Sequence, residues 1–308
     1  MARRRRGRDV DGVVLLDKPL GCSSNAALQR VRRAFDARKA GHTGSLDPLA
    51  TGLLPVCLGE ATKASGYLLH ANKRYRVTAE VGSETATGDR EGGITRESQA
   101  ATPEAAEFDA ILARFLGPQQ QIPPMYSALK KDGKRLYEHA RAGREIERDS
   151  RAIEVYAIEC VARSAERFTL DVSVSAGTYI RTLVEDIARA WGGCAHVGAL
   201  RRLGVGRLGS EHAMVTLDDI EAQAGDVRSL DHFLQPVSTV LEDWPRLTLD
   251  GAQATAIGQG RRVLGPGHVP AGESLVCLVG ENGDLYGFGV VTDAGEIAPK
   301  RLFARPQR

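Results

Sequence analysis

Two alternating segments, and the helix that follows the second, constrain this chain most. In "KRYRVTAEV" the residues Tyr75, Val77, Ala79 and Val81 share one face, while Arg74, Arg76, Thr78 and Glu80 share the other. "RFTLDVSVSAG" repeats the pattern with Phe168, Leu170, Val172 and Val174 in phase. A period of two with one apolar face is that of a strand buried on one side. "TYIRTLVEDIARAWGG" then switches period. Ile180, Leu183, Val184, Ile187 and Trp191 line one helical face, with Thr178 expected as the cap and Gly192 as the stop. Strands and helices mixed in this way give an α+β fold.

The other segments fit that frame. "DVDGVVLLDKPLG" predicts a strand from Gly12 to Leu16 that ends in a Pro/Gly turn. "SSNAALQRVRRAFD" predicts a serine-capped helix with Leu28, Val31 and Phe35 inside and Arg30, Arg32 and Arg33 outside. "EATKASGYLLHA" is expected to be helical. In "TPEAAEFDAILARFLG" Thr102 is the expected N-cap, Pro103 the first helical residue and Gly117 the stop, over a stripe of Phe108, Ile111, Leu112 and Phe115. Residues 118–151 form a poorly patterned insert. From Lys130 to Arg151 it holds 8 Lys or Arg and 5 Asp or Glu, with Tyr126 and Tyr137 nearby. It is either a solvated excursion or a basic flap whose aromatics lie on a polyanion. Residues 205–245 read as a linker with one short helix. From residue 246 the chain turns to short strands around an Asn-Gly turn, with a third after Asp293, which divides it into 1–245 and a small β module, 246–308.

Net charge is only +2, but it is unevenly spread. Residues 1–76 carry 15 Lys or Arg against 6 Asp or Glu, a net of +9 that leaves −7 for the remainder. That asymmetry describes either a phosphate-attracting face or a solvated basic tail. No apolar run approaches the ~20 residues of a membrane span. "MARRRRGRDV" lacks the apolar segment of a signal peptide, so the cytoplasm is the expected location. The five cysteines, at 22, 57, 160, 194 and 277, form no Cys-x-x-Cys pair, against both a zinc site and a disulfide framework.

One loop stands out. "GHTGSLDPLATGLLP", residues 41–55, surrounds the carboxylate of Asp47 with small residues. By residue type Asp47 is a turn former. A metal would need more ligands than His42 supplies. As a reagent, Asp47 would gain from Pro48, which holds it extended, and from the space its neighbours leave. Arg181 lies in the first turn of its helix, where the macrodipole disfavours a cation. It either pairs with Glu185 at i,i+4 or is held for a distant carboxylate. Tyr75 is either a core residue or, among Lys73, Arg74 and Arg76, a stacking platform for a base. Lys18 is a turn residue or a phosphate contact, and His42 a loop-stabilising hydrogen bonder.

The ordered set "LDKPLGCSS", "GHTGSLDPLATGLLPVCLGEATK", "KRYR", "GTYIRTLVEDI" and "AHVGALRRLGVG" closely resembles the TruB family of tRNA pseudouridine synthases, over residues 9–305. The resemblance implies a mixed, antiparallel-rich catalytic core with an inserted basic flap and a PUA-like terminal RNA-binding module. It implies isomerisation of uridine 55 in the TΨC loop of tRNA, with no cofactor and no metal. Asp47 is then the nucleophile, Arg181 its partner, and Tyr75 the residue stacked on the target base near its C5 proton. His42 supports the flipped-out base, Tyr179 and Leu200 line the uracil pocket, and Lys18 joins the substrate-binding set. The partner is the T arm of tRNA, a monomer is expected, and no obligate protein partner is. Truncating the terminal module should weaken binding more than turnover. The rivals are a guide-RNA-dependent pseudouridine synthase, a non-catalytic RNA-binding protein or tRNA-folding chaperone, and a metal-dependent hydrolase using His42 and Asp47.

Overall fold

The computed structural model describes residues 7–131, 133–209, 212–223, 225–241, 244–265 and 275–307, so the arginines at positions 3–6 lie outside the described residues. Among these residues nine strands make one mixed sheet. Its order from one edge is Leu234–Gln235, Gly12–Lys18, Ala50–Leu58, Ala195–Val205, Lys73–Val81, Arg167–Val174, Arg151–Arg163 and Gly117–Gln121, with Ala40–His42 paired onto Ala50–Leu58. Every pairing is antiparallel except that between Ala50–Leu58 and Ala195–Val205.

The two alternating strands are neighbours, Tyr75 lying opposite Val172. Their inner faces meet the Ile180–Arg189 and Ala105–Ala113 helices in one core that contains Val77, Phe108, Phe168, Leu170, Leu183 and Ile187. Their outer faces stay polar, held by a bidentate Arg76–Asp171 pair at 2.7 Å and a Thr78–Thr169 hydrogen bond. The strand Gly12–Lys18 has no such alternation because both of its faces are covered. Val14 and Leu16 pack under the Ser24–Ala34 helix, and Val13 and Leu15 face the terminal module.

Several local expectations change. The Ala105–Ala113 helix begins after Glu104 and not Thr102, whose hydroxyl instead donates to the Ala165 carbonyl. The Ile180–Arg189 helix starts at Tyr179, not Thr178. The Gln121 amide brackets that start, accepting from Tyr179 N–H at 2.8 Å and donating to its carbonyl at 3.1 Å. "EATKASGYLLHA" folds as a 3₁₀ segment, Gly59–Lys63, and one α turn, Ser65–Leu68. The first residues of the 118–151 insert belong to the edge strand of the main sheet. Residues 205–245 are no linker: Val215, Leu217, Ile220 and Leu230 complete the core around Phe35.

From Arg246 a second sheet of five strands forms, ordered Arg246–Leu249, Leu275–Gly280, Leu285–Val291, Glu296–Gln307 and Val263–Leu264, with the Gly251–Gly258 helix beside it. It docks through Cys277, Leu285, Phe288 and Phe303 onto Leu15, Leu53, Cys57 and Leu68. Tyr67, Trp244 and Phe288 stack at this junction with centroids 4.5–5.9 Å apart. Glu60 bolts it, accepting from the Ala304 N–H at 2.5 Å and from Lys63 at 2.6 Å.

Candidate active site

The loop that carries Asp47 is fixed from behind. Ser24 Oγ bonds both the N–H and the carbonyl of Leu46, at 2.7 and 3.0 Å, and Gly21 N–H donates to the Pro48 carbonyl. Lys18 is fully buried, and its Nζ donates to the carbonyls of Pro19 at 2.8 Å and Cys22 at 2.6 Å. The turn role therefore has geometry here and the phosphate contact has none. The parallel pairing beside the loop sets Gly52 against Arg202 at φ +99°, where a β-carbon would stand 2.3 Å from the Arg202 carbonyl. Only glycine permits that approach.

Arg181 comes to Asp47 from the opposite wall. Its Nε lies 3.0 Å from Asp47 Oδ2, and its two terminal nitrogens donate to the carbonyls of Thr87 at 2.5 Å and Tyr126 at 2.8 Å. Asp89 Oδ2 is 4.0 Å from Nη1. Three loops thus hold a cation that is 5% exposed. Glu185 instead faces Arg189 at 3.6 Å. The Arg181 position at a helix start is explained by a carboxylate from another part of the chain.

Asp47 keeps 41% of its side chain accessible, and it borders a cavity of about 620 Å³. Burial among its neighbours raises its pKa above the ordinary aspartate range. Arg181 opposes that rise, Asp89 adds to it and Lys18 opposes it. Tyr75, Tyr179, Ile180 and Leu200 supply the apolar walls, with Lys73 and Arg202 among them. The Arg151 guanidinium lies 4.7 Å above the Tyr179 ring. His42 stands at the base of the loop, outside these walls. Its Nδ1 accepts from Gly44 N–H at 3.4 Å, and burial, with Arg202 nearby, holds the imidazole below its usual pKa.

The structure therefore brings together Asp47, Tyr75, Tyr179, Arg181 and Leu200, with His42 and Lys18 beneath the loop. Asp89, Gln121 and Arg202 were not singled out by the sequence. For Arg202 a signal existed: it continues the inward phase of Leu200 along its strand. For Asp89, in "TGDR", none did. An ionised carboxylate braced by a buried cation beside aromatic faces can act as a nucleophile on a planar, nucleoside-sized substrate. Among the described residues no three His, Cys, Asp or Glu side chains gather as metal ligands.

Three family models match along the chain. The N-terminal domain of TruB family pseudouridylate synthases matches residues 32–180, the tRNA pseudouridylate synthase B C-terminal domain 181–242, and the C-terminal domain of TruB, pseudouridine synthase II, 245–303. The chain is 48% identical over 301 residues to a tRNA pseudouridine synthase B of Nitrosococcus oceani, covering 97% of both proteins. To that of Ectopseudomonas mendocina it is 49% identical over 301 residues, again covering 97% of both. A Cbf5-Nop10-Gar1 complex contains a similar chain at 25% identity and TM-score 0.75, over 95% of this chain and 84% of that one. An H/ACA RNP bound to a substrate RNA containing 2′-deoxyuridine shares the fold at TM-score 0.73 and 22% identity, over 99% and 92%.

Proposed function

Because the chain belongs to the TruB family of pseudouridylate synthases, we propose that it isomerises uridine 55 of the tRNA TΨC loop to pseudouridine. The observation that carries the chemistry is the Asp47–Arg181 pair at the wall of a cavity bounded by Tyr75. The target nucleotide flips out of its loop, at a cost of a few kcal/mol, because a stacked base cannot reach a recessed carboxylate. Asp47 assists cleavage of the N1–C1′ bond as the nucleophile, with Arg181 favouring its ionised form. Tyr75 stacks on the base and lies near the C5 proton. Tyr179 and Leu200 bound the uracil pocket. His42, kept neutral, stacks in the space the base vacates, and Lys18 supports the substrate through the turn it holds. No net redox change or group transfer to solvent occurs, so the reaction needs no cofactor.

The RNA partner is the T arm, gripped through phosphates by exposed basic residues of the first 76 positions and by the 118–151 insert. The PUA-like module, 246–308, extends that contact. The protein acts in the cytoplasm as a monomer without an obligate protein partner. Identity of 48–49% across nearly the whole chain to proteins named tRNA pseudouridine synthase B, against 25% to the chain of the Cbf5-Nop10-Gar1 complex, favours the form that works without guide RNA.

The test is tritium release from a tRNA transcript labelled at C5 of uridine, without guide RNA and with a chelator, for wild type and Asp47→Asn. Release by wild type alone, approaching one equivalent per tRNA, is expected. No release by wild type would leave an RNA-binding protein or chaperone. Release by both would assign the nucleophile elsewhere.

A further inference from the structure

We propose that Lys73 and Arg202 form an anion pocket for the detached uracil, stabilising the charge it carries between leaving C1′ through N1 and returning through C5. This rests on the function proposed above. Lys73 and Tyr75 are two residues apart on the inward face of one strand, and Arg202 lies directly across from Tyr75 in the neighbouring strand. All three border the cavity that also holds Asp47. A base stacked on Tyr75 would thus lie beside both cations.

The charge of these two groups is otherwise unanswered. Lys73 is 5% exposed and Arg202 1%. Among the described residues neither forms a salt bridge with a carboxylate. Lys73 Nζ donates to the carbonyls of Leu69 and Ala71, both at 2.6 Å. Arg202 donates from Nε to Leu53 O at 2.7 Å and from Nη2 to Gly44 O at 3.2 Å. Those bonds use two of three ammonium hydrogens and two of five guanidinium hydrogens, which leaves donors for a ligand. Gly44 roofs the pair: a β-carbon there would lie 3.7 Å from Arg202 Nη1 and 4.0 Å from Lys73 Cε, and glycine leaves that space open. Burial, reinforced by Arg202, brings the Lys73 pKa down to about 8. Two neighbouring buried cations without an acid are unfavourable alone and are relieved when a negative charge arrives.

The reaction supplies such a charge. When N1–C1′ breaks, its electron pair leaves with the base and spreads over N1, O2 and O4, while the Asp47 carboxylate meets the electron deficiency at C1′. The base turns, C5 bonds to C1′, and the carboxylate is released. C5 then gives up its proton and N1 gains one. The anion exists only between the two bonds, so donors already in place act on the barrier rather than on RNA affinity.

The experiment compares wild type, Lys73→Met and Lys73→Arg on full-length tRNA transcripts, measuring single-turnover tritium release and Kd separately. A second transcript carries 4-thiouridine at the target, whose base forms a more stable anion. Lys73→Met should slow uridine release roughly 100-fold, the scale of losing one preorganised donor. Its Kd should stay within about 3-fold of wild type, because the charge is absent from the bound ground state. The loss should shrink with 4-thiouridine, and Lys73→Arg should restore most of the rate. A raised Kd at unchanged rate would overturn the proposal in favour of a phosphate contact. Equal losses on both bases would reduce Lys73 to a structural tie. Failure of wild type to release tritium would defeat the underlying function, a separable result.

Discussion

Asp47 sits between two opposed influences: burial pushes its carboxyl toward the neutral form, and Arg181 pulls it back toward the ionised one. Burial prevails, so the acid limb of its pH–rate profile should lie above the usual aspartate range. In Arg181→Met the main opposing cation is gone. Ionisation then requires a still higher pH, and the limb should move further upward. Rates of tritium release measured from about pH 5 to 9 check both shifts, and an unmoved limb would separate Arg181 from the ionisation of Asp47. At this scale the sequence was uneven. Arg181 stood out because a cation in the first turn of a helix calls for an explanation, but spacing alone did not choose Asp47 over Glu185 as its partner. Asp89 was not, since an acid in a Gly-rich turn has a local reason to be there.

Elements were legible where one side of them is buried and obscure where other parts of the chain finish them. The strands of Tyr75 and Phe168 and the helix of Leu183 show clean periods because each turns one face to a common core. The edge strand Gly117–Gln121 has no such period, for four of its five residues are Pro or Gln. Both expected threonine caps failed because those hydroxyls serve nearby carbonyls, those of Ala165 and Ser175. The Ile180–Arg189 helix is started by a glutamine 58 residues away, which no local rule finds. The same helix carries Glu185, pushed up to about 7 by burial, with Arg189 opposing and Glu84 and Asp186 adding. A folded-state pKa raised above the unfolded value gives stability that is complete below about 4.5 and lost as pH rises through about 7. Glu185→Gln should therefore melt above wild type at pH 8, with the advantage vanishing toward acid. Equal melting temperatures at both ends would remove the burial cost from this site.

At the scale of the molecule, the two sheets share a core. Residues 205–245 looked like a linker because 3₁₀ pieces and single turns carry no long period, yet Val237, Val240 and Leu241 pack into the junction. Truncating the module would uncover Leu68 and Tyr67, so its loss should lower stability as well as RNA affinity. A gentler probe is Glu60. Burial alone would raise its pKa, but the Ala304 N–H, Lys63 and Lys39 outweigh that and bring it down to about 2. A depressed carboxylate gives stability that is present above about 4.5 and lost as pH falls toward 2. Glu60→Gln should lower the melting temperature at neutral pH and flatten its decline in acid, read by thermal melts across that range. A decline as steep as wild type would place the acid sensitivity elsewhere.

The one parallel pairing in the main sheet joins Ala50 to Leu200. Its consequence reaches the ribosome. Asp47 is made early, but Arg181 follows 134 residues later (181 − 47), about 7–27 s at ~5–20 residues per second. Until then the strand after the loop can pair with Gly12–Lys18 and Ala40–His42, but the loop lacks its cation, and the parallel partner strand follows later still. The nascent chain therefore carries Asp47 without the cation that faces it, and the pair forms only once the chain has closed on itself.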